Sequence, residues 1–248
     1  MTGTPVALSV GTPLGAWLGS TVGGRWSFAA MSLLSVIVMV FAKFLVPDAR
    51  GQSAQTRAPL SRVVGIPGVA TILAVVFVWM LAHNLLYTYI ASYLQQMRLA
   101  LRPDVTLLVF GVAALGGIWI TGVFIDRALR RLTLASVTLF IVAAAFLAAA
   151  QQSTVLVLLA IVLWGLAFGG SATQLQTALG EAAGENADAA NAMLTTSFNM
   201  AIFAGGAVGA VVVDGVGAPV LPAAMIALTL MALVMVGFGR RAAFPAGR

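Results

Sequence analysis

The feature that most constrains this chain is a series of eight apolar stretches, each long enough to cross a lipid bilayer as a helix. We refer to them as spans 1 to 8, and they cover residues 4–22, 26–46, 69–94, 105–125, 132–150, 154–175, 189–212 and 219–238. Hydrophobic residues make up 61% of the chain and charged residues 8%, which is too little polar surface for a soluble globule. The sequence therefore predicts an all-α integral membrane protein with about eight transmembrane helices.

The basic residues predict the orientation in the bilayer. Only the connection formed by residues 47–67 is long and polar. If it is cytoplasmic, ten of the 13 Lys and Arg residues lie on the cytoplasmic side, as the positive-inside rule requires. We therefore expect a multi-pass protein of the cytoplasmic membrane with both termini in the cytoplasm. Nucleic acid is not an expected partner, because the arginines are scattered singly between spans rather than clustered on one soluble face.

Span 1 carries a glycine every fourth residue. Gly11, Gly15, Gly19 and Gly23 lie on one slowly drifting face of a helix and form a smooth groove, which we call the glycine groove. Small residues at this spacing let a second helix approach closely within lipid. A soluble helix would lose about 1 kcal/mol for each glycine relative to alanine. The spacing therefore predicts that the groove receives a neighbouring helix.

An internal repeat links the two ends of the chain. A shift of 194 residues matches nine of the 24 positions from Gly11 to Leu34, including Gly15 with Gly209 and Gly23 with Gly217. Spans 1 and 2 are then copies of spans 7 and 8, which close a six-helix block. Paired six-helix halves are one plan of secondary transporters. We therefore expect residues 1–46 to be the last two helices of an incomplete N-terminal half, 47–67 a cytoplasmic linker, 68–240 a complete six-helix half, and 241–248 a cytoplasmic tail.

These residues together resemble the major facilitator superfamily, and within it the twelve-helix proton-coupled drug and sugar efflux antiporters. The glycine groove with Pro13 is similar to the antiporter signature of that family's fifth helix. The resemblance covers the family's fifth to twelfth helices, so its first four helices, with their loop motif and many of their proton-linked residues, have no counterpart here. It implies that the groove packs against the other half and limits leakage.

A second motif follows span 4 in the sequence GVFIDRALRR. Its residues Gly122, Asp126, Arg127 and Arg131 resemble the family's cytoplasmic loop motif between helices eight and nine, although Leu129 replaces a glycine that is usual there. Asp126 can act as a gate if it pairs with a helix end or an arginine in one state and is released in the other. The alternative is ordinary positive-inside anchoring, which explains the arginines but not the carboxylate.

Candidate cavity residues lie on span 3. His83, the only histidine, shares a helix face with Trp79 and Tyr87. It is either a structural histidine bonded to a neighbouring helix, a substrate contact or a proton carrier. Asn84 and the rings of Trp79 and Tyr87 suit a cavity for amphipathic organic molecules. Core packing is the alternative for the two rings.

Span 7 carries a polar line of Asn191, Thr195 and Asn199, one residue every fourth position. Amides in hydrocarbon need partners, so this line must face protein or water. Gln174 and Gln176, near the end of span 6, can approach it. Interhelical hydrogen bonding and substrate contact both remain open for these residues.

The leading hypothesis is a secondary active transporter that exports a small organic molecule, drug-like or sugar-like, in exchange for protons. No phosphate-binding loop, metal constellation or nucleophile with its base is present, so we expect no enzyme, no cofactor and no metal. The competing hypothesis is a transport-inactive membrane fragment or assembly partner that lacks half of the cavity wall. The sequence leaves the substrate and the oligomeric state open.

Overall fold

The structure is a computed structural model, and it describes residues 11–45, 59–150 and 153–245. These ranges are helical and contain no β-strand, which confirms the all-α fold class. The helices are α1 (Thr12–Thr21), α2 (Gly24–Leu45), α3 (Leu60–Val64), α4 (Val69–Thr88), α5 (Ile90–Gln96), α6 (Pro103–Ala149), α7 (Thr154–Gly169), α8 (Ser171–Ala183), α9 (Ala187–Gly215) and α10 (Leu221–Phe238).

Helix α6 contains two of the predicted spans. Two helical stretches meet at Ala128, which has non-helical backbone angles (φ −149°, ψ 32°). The rings of Phe110 and Phe140 lie 4.8 and 6.3 Å from the ring of Trp164. A straight helix would hold these two phenylalanines roughly 45 Å apart. The chain therefore folds back at Ala128, and α6 is a hairpin whose arms correspond to spans 4 and 5.

Five helical segments of the described chain are long and apolar enough to cross a membrane. One is the α6 hairpin, and another runs from Thr154 to Gly215 and contains both span 6 and span 7. Span 2 corresponds to α2, span 3 to α4 with α5, and span 8 to α10. The described part of span 1 is α1. The eight predicted spans thus account for the helical architecture.

A glycine seam joins the first arm of α6 to α7 and the start of α8. A Cβ atom on Gly117 would meet the carbonyl oxygen of Leu166, and one on Gly169 would meet that of Ala114. A Cβ on Gly170 would overlap the hydroxyl of Thr121. The two backbones therefore lie in direct contact, which is the packing that small residues permit between helices in lipid.

Helices α4 and α9 make a second close contact. A Cβ on Gly205 would lie 2.6 Å from Cβ of Asn84, and one on Gly209 would lie 2.5 Å from the ring of Tyr89. The hydroxyl of Tyr89 donates a hydrogen bond of 2.7 Å to the carbonyl oxygen of Gly206. These contacts fix the face that α4 turns toward α9.

The turns after α1 and after α9 each contain a glycine with a positive φ. Gly23 and Gly217, which the 194-residue shift aligns, have φ angles of 94° and 104°, in the left-handed region that favours glycine. The N–H of Val22 donates to the carbonyl oxygen of Leu18, and that of Val216 to Val212, each at 2.9 Å. The aligned positions thus share the glycine conformation and the hydrogen bond that end the first helix of each pair. The chain differs after them, because α2 begins at Gly24 whereas a 3₁₀ turn, Ala218–Val220, precedes α10.

The α1–α2 pair is largely exposed. Helix α2 has no buried residue, and a Cβ on Gly11 or Gly15 would meet no atom within 4 Å. A Cβ on Gly19 would contact only the hydroxyl of Ser27. The glycine groove is therefore open toward the described residues, and its helix partner remains a prediction. The side chain of Pro13 and residues 46–58 of the connection after α2 lie outside the described part.

Residues 239–245 pack back onto the helices that form spans 3 to 8. We call these helices, α4 to α10, the six-helix unit, because they carry six spans. Phe244 is fully buried, and the backbone of Ala242 approaches Gly68 so closely that a Cβ there would lie 2.5 Å from the Ala242 carbonyl oxygen. The first residues of the predicted tail, as far as residue 245, thus belong to this unit. Residues 246–248 lie outside the described part.

Candidate functional site

A cavity of about 170 Å³ lies between α4, the first arm of α6, the α7–α8 junction and α9. Helix α4 supplies Met80, His83, Asn84 and Tyr87 to its wall. The remaining lining residues are Phe110, Ala114, Ile118, Phe168, Gly169, Ser171, Ala172, Phe198 and Ile202. The wall is thus apolar and aromatic apart from a few side chains, and it contains no Asp, Glu, Lys or Arg.

His83 lies in a cluster of aromatic rings beside the cavity. Its imidazole stacks on the ring of Phe168 at 3.6 Å with an interplanar angle of 6°. The rings of Tyr87 and Trp164 lie 4.8 and 5.2 Å away. Nδ1 of His83 is buried and has no hydrogen-bond partner among the described residues. The interpretation of His83 as a structural histidine thus lacks its expected hydrogen bond at Nδ1, whereas its place in the cavity wall suits ligand contact.

Asn84 and Tyr87, which the sequence offered as candidates, line the same cavity. The amide nitrogen of Asn84 donates to the carbonyl oxygen of Met80 at 2.8 Å. Its Oδ1 accepts no hydrogen bond from the residues that the structure describes. Asn84 therefore offers the cavity an acceptor on a side chain that its own helix already orients.

Trp79 is one turn away from the cavity and does not line it. Its side chain is fully buried, and its ring makes edge-on contacts of 6.3 Å with Phe140 and Phe168. Trp79 thus supports the ring on which His83 stacks. Of the two alternatives that the sequence left open for Trp79, the structure favours core packing.

Gln174 is also outside the cavity wall. Its side chain is fully buried, and its amide nitrogen donates to the hydroxyls of Thr121 and Ser136, both at 3.0 Å. These hydroxyls belong to opposite arms of the α6 hairpin. Gln174 therefore ties the two arms to α8, and it acts in helix packing rather than at the cavity.

The polar line of α9 is turned away from the cavity. Asn191 accepts a hydrogen bond of 3.2 Å from the amide of Gln176. Thr195 and Asn199 are exposed and donate to carbonyl oxygens one turn earlier in their own helix. The structure brings Asn191 to α8 as predicted and does not bring Asn191, Thr195 or Asn199 to the wall that His83 lines.

The loop motif after span 4 lies near the bend of the α6 hairpin. Gly122, Asp126, Arg127 and Arg131 are exposed, and the one ion pair among the described residues is Arg102 with Asp104. Asp126 thus makes no ion pair with another residue of the described ranges. Its role as a gate remains a prediction.

The neighbouring Arg130, which the motif does not include, contacts α10 and the segment that follows it. Its guanidinium donates to the carbonyl oxygens of Val236 and Phe244 at 2.8 and 3.0 Å and to that of Gly237 at 3.0 Å. It therefore caps the carboxyl end of α10, where a cation is favoured by the helix dipole.

The comparison with known proteins supplies the family. The model of the Major Facilitator Superfamily matches residues 1–205. The chain belongs to the Major Facilitator Superfamily. The matched residues include every residue that lines the cavity. They also include the glycine groove and the loop motif after span 4, in which the sequence resembled that family.

Named members of the superfamily are similar over most of the chain. A probable sugar efflux transporter of Helicobacter pylori strain P12 is 26% identical over 239 residues, which cover 95% of this chain and 61% of the relative. An uncharacterized MFS-type transporter of Bacillus subtilis strain 168, YbcL, is 28% identical over 86% of this chain and 56% of the relative. The chain thus spans about three fifths of the length of these curated relatives.

Aromatic lining residues from other helices were missed at the sequence level. Phe110, Phe168 and Phe198 come from three separate elements and face the cavity together with His83. Each lies within an apolar span, so its composition does not distinguish it from a lipid-facing or core phenylalanine. In this member of the superfamily, only the packing of α6, α7 and α9 against α4 reveals that these rings share one wall.

Proposed function

We propose that the chain acts as a secondary active transporter that exports a small organic molecule, drug-like or sugar-like, from the cytoplasm in exchange for protons. The cavity between α4, α6, α7–α8 and α9 carries this proposal, because it is mostly apolar with a few polar groups, as small-molecule sites are. Two comparisons support it: the chain belongs to a transporter superfamily, and its Helicobacter relatives are named probable sugar efflux transporters. Alternating access is the expected mechanism.

His83 is the candidate proton carrier of this unit. It is the only histidine of the chain, and the cavity wall contains no carboxylate. A group that titrates within a membrane is costly and marks function. Substrate contact by His83 is compatible with the same position, because an imidazole beside a cavity can both stack and exchange a proton.

The glycine groove and the loop at the α6 bend are the proposed gating elements. The groove is open toward the described residues, so it is available to a helix of the other half. Asp126 is exposed and without an ion pair in the described part, so it is available to a partner formed in another state. The cytoplasmic location of this loop and of both termini follows from the distribution of basic residues.

The test uses inverted membrane vesicles that contain the chain and whose interior is acidified by respiration. Antiport predicts that an added substrate releases protons from the vesicles, measured with a pH-sensitive dye. Glucose, lactose and indole are added in separate assays, and vesicles without the chain are the control. Proton release that requires the chain supports the proposal. Failure of all three compounds to release protons contradicts it for these substrate classes.

The second candidate function is that of an assembly partner, or of a fragment that is inactive in transport. The exposed α2 and the open glycine groove favour it, since an apolar helix pair with no buried residue in α2 calls for further helices. This candidate predicts insertion into the membrane and no substrate-dependent proton release. The vesicle assay therefore separates the two.

A further inference from the structure

The cavity wall restricts the chemistry of what it can hold. While His83 is neutral, the wall carries no charge, so an ionised ligand would lose its hydration without gaining an ion pair. Its volume of about 170 Å³ is smaller than the roughly 300–1,000 Å³ of pockets for drug-sized ligands. The part of a ligand that lies against these residues is therefore small, and it is uncharged while His83 is neutral.

The cavity wall has few polar groups, and some of them already make hydrogen bonds within the protein. Ser171 donates its hydroxyl proton to the carbonyl oxygen of Phe168 at 2.6 Å. The amide nitrogen of Asn84 is bonded to Met80. A sugar carries a hydroxyl on nearly every carbon, and each hydroxyl that is buried without a partner costs about 1–3 kcal/mol. This wall cannot satisfy that number of hydroxyls.

The aromatic surface of the wall favours a planar ligand. Phe110, Phe168 and Tyr87 come from three different helices and present rings to the cavity. Aromatic side chains gain from edge-to-face and offset stacking with another ring in addition to the burial of apolar area. Asn84 Oδ1 and the buried Nδ1 of His83 have no partner among the described residues and remain for hydrogen bonds to a ligand.

We infer that this cavity takes an uncharged aromatic compound of one or two fused rings with a single hydrogen-bond donor, which Asn84 Oδ1 receives, and that it does not take a sugar. The inference rests on the proposal that the cavity receives the exported molecule. The ligand class that we infer differs from the one in the name of the Helicobacter relatives, which are called probable sugar efflux transporters.

The experiment measures binding, so it is independent of transport. The purified 248-residue chain in lipid nanodiscs is titrated calorimetrically with indole, 1-methylindole and glucose, and the heat of empty nanodiscs is subtracted. Indole is expected to saturate one site. Its methylated analogue, which lacks the donor, is expected to bind about three- to tenfold more weakly because one hydrogen bond is lost. Glucose is expected to give no saturable heat.

The variant Asn84→Leu keeps a side chain of similar size and removes the acceptor. It is expected to abolish the preference for indole over 1-methylindole. The matched control is Asn199→Leu, because Asn199 makes the same bond to a carbonyl oxygen one turn earlier but does not line the cavity. This control is expected to retain the preference.

Saturable binding of glucose, or equal affinities for indole and 1-methylindole in the unaltered chain, would overturn the inference. Both comparisons use the unaltered chain, so they test the inferred ligand class even if Asn84→Leu fails to fold. If indole binds as expected and yet no compound releases protons from vesicles, the proposed transport function fails while the assignment of the cavity stands.

Discussion

At the scale of single residues, the contact between Gly205 and Asn84 sets the position of the cavity wall. A Cβ on Gly205 would lie 2.6 Å from Cβ of Asn84, whereas a Cβ on the adjacent Gly206 would meet no atom within 4 Å. We expect Gly205→Ala to lower the free energy of unfolding by about 1–3 kcal/mol through overpacking. Gly206→Ala should leave it unchanged or raise it by up to about 1 kcal/mol. Denaturant unfolding in detergent measures both, and equal effects would contradict the packing described.

Arg130 offers a second pair of matched residues. Its guanidinium donates to the carbonyl oxygens of Val236 and Gly237 at the end of α10 and to that of Phe244 beyond it. Arg131, in contrast, is exposed. Hydrogen bonds from a charged group contribute about 1.5–3 kcal/mol, so Arg130→Met should destabilise the six-helix unit by at least that order. Arg131→Met should change stability by less than about 0.5 kcal/mol. Thermal unfolding followed by tryptophan fluorescence distinguishes them, and a larger loss with Arg131→Met would refute the capping role.

The sequence located part of the cavity wall because His83, Asn84 and Tyr87 lie on one helix, where their spacing is visible. It placed Gln174 and Asn199 near the substrate because polar side chains in apolar spans need partners. The structure gives the amide nitrogens of these residues other partners, which are the hydroxyls of the α6 hairpin for Gln174 and a carbonyl oxygen of its own helix for Asn199. Polarity in a span thus predicts that a partner exists and leaves the partner's identity to the tertiary packing.

At the scale of helices, the glycine groove of α1 is the element with the clearest functional test. Gly15 has no neighbour within 4 Å of a Cβ position in the described chain, so Gly15→Leu should not disturb the six-helix unit. If the groove packs against the other half, the bulky side chain should abolish export while the protein stays in the membrane. Substrate-dependent proton release and immunoblots of the membrane fraction measure the two properties. Unchanged release would remove the groove from the mechanism.

The helices themselves were largely predictable, and the reason is the length of the apolar spans. The 194-residue repeat is also visible in the backbone, since the aligned glycines Gly23 and Gly217 both have a φ in the left-handed region. The contacts of the α6 hairpin were not predictable, because Phe110 and Phe140 meet the same ring only after the chain reverses at Ala128. Contacts between distant spans depend on this reversal and leave no periodic signal in the sequence.

At the scale of the whole molecule, the chain's lack of cysteine makes its orientation directly measurable. Ala100 and Glu181 are both exposed and lie in connections that the positive-inside rule assigns to opposite sides of the membrane. We expect Ala100→Cys to react with a membrane-impermeant maleimide in intact cells. Glu181→Cys should react only after the cells are opened. The reverse result would invert the predicted topology and place both termini outside.

The proposed function requires that this chain couples the movement of a small organic molecule to protons. The most direct measurement is the release of protons from acidified inverted vesicles on addition of indole, glucose or lactose. The account predicts release with indole that requires the chain and is lost in Gly15→Leu, and no release with the sugars. Vesicles that contain the inserted chain and release no protons with any of the three compounds would contradict it and favour the assembly partner.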